Sequence, residues 1–105
     1  MNFTSQHADE YAAWFRCLAD ATRLQVLHVV ATAGRPMTVG EITDAVDKQQ
    51  STVSHHVRIL AEERFVLTET DGNRTLVSVN DRCMTEFPDA AAHIMGVEPG
   101  GHGAL

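Results

Sequence analysis

The chain is predicted to be mostly α-helical with a single β-hairpin, and three observations predict it. Apolar residues recur at helical spacing through the first half; a capping signature and a short polar break divide the middle into two helices; an Asp-Gly pair joins two β-rich runs.

In "HADEYAAWFRCL", Tyr11, Phe15 and Leu18 fall at i, i+4 and i+7 with Trp14 beside them, which predicts a first helix from His7 to Leu18. Asp20 is placed to cap a second helix in which Leu24, Leu27 and Val30/Ala31 keep the period, and Gly34 with Pro36 ends it. In "TVGE" the Thr38 hydroxyl can accept from the amide of Glu41 while the Glu41 carboxylate accepts from that of Thr38, a capping box that opens a third helix running to about Val46. After the turn at "DKQ", the stretch "QQSTVSHHVRIL" forms a fourth helix. Val53, Val57 and Leu60 share its core side with His56 beside them, which leaves Gln50, Ser51, Ser54, His55 and Arg58 on the other.

The runs "FVLTET" and "RTLVSV", separated by "DGN", predict a two-stranded hairpin over residues 64–79. The segment "DRCMTEFPDAAAHIMG" is helical in composition but contains Pro88, so its helix either kinks there or starts there. Ala90, Ala91 and Ala92 would let a neighbouring helix approach closely. "VEPGGHGAL" reads as a flexible tail, giving a domain over 1–96 and a tail over 97–105.

A length of 105 residues sets one domain, and 44% hydrophobic with 21% charged residues fits a soluble globular chain. No run is apolar for long enough to span a bilayer. The first residues carry acids where a secretory signal would carry bases and an apolar run, so a cytoplasmic protein without membrane association is expected. Cys17 and Cys83 lie far apart without a Cys-x-x-Cys pair and read as reduced thiols. No Gly-x-Ser-x-Gly, phosphate loop or His-Glu-x-x-His occurs, which argues against an enzyme. The formal net charge of −6 is unfavourable for meeting nucleic acid, yet the excess acid lies elsewhere than residues 48–80. There Lys48, Arg58, Arg64 and Arg74 balance Glu62, Glu63, Glu69 and Asp71.

A helix, a short turn, a second helix and a hairpin form a winged helix-turn-helix in outline. "CLADATRLQVL", "STVSHHVRIL" and the hairpin around "DGNR" together resemble the ArsR/SmtB family of bacterial winged-helix repressors, in order and at the usual intervals, from about Trp14 to Val79. The resemblance implies that the fourth helix enters the major groove, the wing touches the flanking backbone, and the first and last helices form a two-fold dimer interface. It further implies a homodimeric transcriptional repressor, bound to a pseudo-palindromic double-stranded operator and released by a small inducer, commonly a metal ion. Residue chemistry agrees. Gln50 can pair bidentately with adenine, Ser51, Thr52 and Ser54 offer hydroxyls, Arg58 reaches guanine or phosphate, and His55 lies on the same side. Asn73 and Arg74 at the wing tip are candidates for the backbone. Departures from the family pattern are Asp47 and Arg64, where Gly is common, and Lys48 with Gln49, where an apolar residue and a capping Ser are usual.

Thr38 and Gly40 stand where the family's arsenic-type site has its cysteines, so that site is absent. A second family site lies on the last helix. Here Glu86, Asp89 and His93 fall near one face if that helix is continuous through Pro88, and His7 or His102 could complete a set suited to nickel, zinc or cobalt. Cys17 and Cys83 form an alternative, a thiol pair near the dimer interface that responds to oxidants or soft metals. A winged-helix module that binds protein instead of DNA is the competing function.

Overall fold

The computed structural model describes residues 2–97. The elements run α1 (Ser5–Leu18), α2 (Ala21–Ala33), β1 (Met37–Thr38), α3 (Val39–Val46), α4 (Gln50–Glu62), β2 (Val66–Asp71), β3 (Arg74–Val79) and α5 (Cys83–Ile94). The expected helices and hairpin are all present.

Helix α1 starts at Ser5, earlier than its apolar stripe indicates, because Thr4 and His7 make a capping box. The His7 amide donates to the Thr4 hydroxyl at 3.2 Å, and the Thr4 amide donates to His7 Nδ1 at 3.0 Å. Helix α2 is capped by Asp20, whose carboxylate accepts from the Arg23 amide at 3.0 Å, and ends at Gly34 with φ 69°. The box at α3 forms as expected. Glu41 donates its amide to Thr38 Oγ1 at 3.1 Å, and its carboxylate accepts from the Thr38 amide at 3.0 Å and from Arg35 at 2.8 Å. The Arg35 guanidinium, then the Thr38 amide, hold this carboxyl down to about 2.

A three-residue turn separates α3 from α4. Asp47 takes the left-handed conformation, φ 54° and ψ 50°, at a position where glycine would be free of Cβ conflict. Gln49 begins α4 without a side-chain cap, so no side chain of this residue satisfies the first amides.

The hairpin is part of a three-stranded sheet in the order β1-β3-β2, one strand more than the two expected. Met37 and Thr38 pair antiparallel with Val77 and Leu76, tying the hairpin to the start of α3. Two residues make no periodic signal, which is why this strand is invisible in the sequence. Asp71 pairs with Arg74 across a two-residue loop whose first position, Gly72, has φ 65°.

Val26, Val30, Ile42, Val53, Leu60, Val66 and Val77 are fully buried, so α2, α3, α4, β2 and β3 all contribute to one core. Each such side chain is worth about 1.5–3 kcal/mol. Helix α5 lies against it through Phe87, whose ring is 5.9 Å from Phe65 and 5.4 Å from Phe15. Of the two outcomes open at Pro88, a helix starting there is not observed: α5 begins at Cys83 and runs through the proline. Ala90 and Ala92 are buried, while the expected tail falls, from residue 98 on, outside the described residues.

Arg64, the residue after the α4 C-cap, has φ 62°. A left-handed L-residue costs roughly 1–2 kcal/mol, partly offset on replacement by glycine's larger unfolded-state entropy. Arg64→Gly is therefore expected to raise stability by about 0.5–1 kcal/mol, seen as a melting temperature several degrees higher. A lower melting temperature would contradict this strain.

Candidate nucleic-acid interface

Helix α4 is divided lengthwise. Val53, His56, Val57 and Leu60 are buried, whereas Gln50, Ser51, Ser54, His55 and Arg58 are exposed and Thr52 is half-buried at the boundary. The exposed side thus collects an amide, hydroxyls, an imidazole and a guanidinium along one helix, with the His55 ring 3.5 Å from the Arg58 guanidinium. Lys48 is exposed just ahead of the helix, beside its uncapped amides. At the hairpin tip Asn73 and Arg74 are exposed, but Arg74 binds Asp71 at 2.9 Å, so the tip carries little net positive charge.

The buried side of α4 is fastened to α2 by a polar contact. Arg23 donates from Nε to His56 Nδ1 at 3.3 Å and from Nη1 to the Cys17 carbonyl at 2.6 Å, joining α1, α2 and α4. Asp20 Oδ1 lies 3.9 Å from His56 Nε2. The one local signal for Arg23 in the sequence is the capping Asp20 three residues before it.

A second cluster lies between α1 and α5, in an open groove of about 530 Å³ lined by His7, Tyr11, Trp14, Glu86, Asp89 and His93 among others. The structure brings all four candidate metal ligands of the described residues to this groove. It does not converge them: among the described residues no three His, Cys, Asp or Glu side chains are disposed to hold a metal. Several of their polar atoms are committed elsewhere, those of His93, His7 and Glu86. His93 Nε2 bonds the Asn2 carbonyl at 2.6 Å, which fixes it as the donor, so Nδ1 accepts from the Tyr11 hydroxyl at 2.8 Å. His7 Nδ1 serves the α1 cap, and Glu86 is paired with Arg82 at 2.8 Å. Within one protomer these residues do not fit a metal. His102 lies outside the described residues.

A helix-turn-helix with a polar outer side on its second helix, followed by an antiparallel hairpin, defines a winged helix-turn-helix protein. Residues 20–68 match the model of the bacterial regulatory proteins of the arsR family. The HTH-type transcriptional regulator KmtR of Mycobacterium tuberculosis is 47% identical over 58 residues, 55% of this chain and 43% of that relative, so the match spans less than half of KmtR. The arsenical resistance operon repressor of Bacillus subtilis is 29% identical over 72 residues, 69% of this chain and 68% of its own. Among solved structures, the homodimeric winged helix-turn-helix DNA-binding domain Mb0332 of Mycobacterium bovis superposes with a TM-score of 0.70 at 21% identity, covering 91% of this chain and 90% of that one. The chain belongs to the ArsR family, a family of transcriptional regulators.

The two thiols are both free and sheltered to different degrees. Cys17 is buried, with its sulfur 4.0 Å from the Ile59 carbonyl, and the half-buried Cys83 donates to the Arg64 carbonyl at 3.0 Å. Burial pushes both thiols up, away from the thiolate form that reacts. Iodoacetamide at neutral pH is expected to label the native protein slowly, at Cys83 before Cys17, and both rapidly in denaturant. Preferential labelling of Cys17, read by mass spectrometry, would contradict these environments.

Proposed function

We propose that the protein is a homodimeric transcriptional repressor that holds double-stranded DNA with the exposed side of α4 and is released by a small inducer. The observation that carries this reading is the polar surface from Gln50 to Arg58, held outward because the opposite side of the same helix is buried. Two copies of α4 would enter successive major grooves about 34–36 Å apart on a pseudo-palindromic site. Arg58 and the hydroxyls meet base edges and phosphates there, and Asn73 and Arg74 meet the flanking backbone.

Dimerisation through α1 and α5 is supported by where apolar surface remains. Among the described residues, six of the eight exposed large apolar side chains, Phe3, Phe15, Met84, Ile94, Met95 and Val97, fall on or beside these two helices, which therefore need a partner. The effector is proposed to act at the same place, by favouring a dimer in which the α4 helices are mis-spaced. A divalent nickel, zinc or cobalt ion held by Asp89 and His93, with Glu86 or His7, needs donors from a second protomer and the release of at least one His93 hydrogen bond. The arsenical relative's ligand is not carried over, because Thr38 and Gly40 supply no thiolate. A redox effector acting on Cys83 and Cys17 is disfavoured by the burial that keeps both protonated.

The test is a titration of the duplex upstream of the protein's own gene, repeated with nickel, zinc, cobalt and chelator. Arg58→Ala is expected to weaken binding about tenfold or more and, if the guanidinium meets phosphate, to reduce the salt slope by about one. Arg74→Ala is expected to cost less, since Asp71 already neutralises that base. No retardation at low salt, with or without metal, would favour the protein-binding reading, which the net charge of −6 and the neutralised wing tip fit.

A further inference from the structure

His56 is 7% exposed, yet it is polar and lies in the middle of the helix assigned to DNA, among Val53, Val57 and Leu60. Its two nitrogens are not equivalent. Arg23 Nε–H can only donate, so Nδ1 must be the acceptor in their 3.3 Å bond, which places the ring proton on Nε2, facing Asp20. Arg23 is itself immobilised by its 2.6 Å bond to the Cys17 carbonyl, and Asp20 by the Arg23 amide at 3.0 Å. The ring thus has one protonation state in which it fits: neutral, with a bare Nδ1.

We propose that His56 is a positioning residue, which seats the recognition helix against α2 through Arg23 only while its ring is uncharged, so that proton uptake at Nδ1 unseats α4 and weakens DNA binding. A proton on Nδ1 removes the acceptor for Arg23 and sets two cations against each other at hydrogen-bond distance. The charged or titratable groups that bear on the ring are Asp20 at the N-cap of α2, Arg23 within α2 and His55 from α4 itself. Asp20 favours the proton, while burial, Arg23 and His55 oppose it. Burial is the largest influence, and the folded ring titrates below the usual 6.5. The contribution of the neutral ring is therefore complete above about pH 6.5 and is lost as pH falls through the lower folded value.

This inference rests on the DNA-binding reading, and the experiment separates the two. Affinity for the upstream duplex is measured from pH 5.5 to 8 in His55→Gln and in His55→Gln/His56→Gln proteins, so that the second imidazole of α4 is the one difference. The His56→Gln side chain keeps an acceptor for Arg23 and a donor for Asp20 without titrating. The two proteins are expected to bind alike at pH 8, and the double variant more tightly at pH 5.5, by up to about tenfold, the ceiling for a group of pKa 6.5 one unit below it. A ratio independent of pH overturns the proposal. So does weaker binding by the double variant at pH 8 with unchanged thermal unfolding, because Gln offers Arg23 an uncharged acceptor at every pH.

Ring nitrogen NMR of the unmodified protein decides the matter if the variant does not fold or no DNA is bound. Protonated Nε2 with bare Nδ1 at pH 8, and faster amide exchange in α4 than in α3 as the ring takes up a proton, support the proposal. The opposite tautomer, or α4 exchange indifferent to the ring, overturns it.

Discussion

The burial of one side of α4 is the constraint on which the rest of the molecule depends. Val53, Val57 and Leu60 pass into a core that α2, α3 and the strands complete, and a helix so held cannot turn its other side inward. Everything functional follows from that orientation: the short Asp47 turn sets where the helix starts, and Phe65 and Val66 anchor the hairpin at its far end. Arg23 and His56 add direction to what apolar contact alone leaves loosely specified, since a hydrogen bond fixes a rotation that aliphatic surface does not.

Electrostatics set the terms on which an acidic chain could meet an acidic polymer, as the proposed function requires. Net charge governs long-range approach, but affinity depends on the cations that touch phosphate. Here several bases are already used: Arg35 binds Glu41, Arg74 binds Asp71, Arg82 binds Glu86, and Arg23 is spent on internal carbonyl and imidazole acceptors. The exposed side of α4 keeps Arg58 beside uncharged hydrogen-bonding groups. Under the proposed DNA-binding function, recognition built this way would place more weight on fit within the groove than on charge neutralisation by the wing.

Much of this was legible in the sequence where the cause is local. Capping at Thr38 and Glu41, the helical spacing in α4 and the Asp-Gly turn all act within a few residues. Asp47 and Arg64 were legible as departures from a glycine pattern, and both take the left-handed conformation that glycine would serve. The cap of α1 was not, because histidine stands at the position where Glu or Gln makes the recognisable signature. Long-range polar contacts leave no periodic trace: Tyr11 and His93 meet across 82 residues, and Arg23 and His56 across 33. That is why the cluster between α1 and α5 was readable as a set of candidate ligands but not as the hydrogen-bonded arrangement it forms.

Backbone amide shifts recorded while a duplex is added report which surface the nucleic acid covers. The largest changes are expected at Gln50, Ser51, Ser54, His55 and Arg58, with smaller ones at Asn73 and Arg74 and little change in α1 and α5. Changes concentrated on α1 and α5, with α4 silent, would contradict the proposed DNA-binding role of α4.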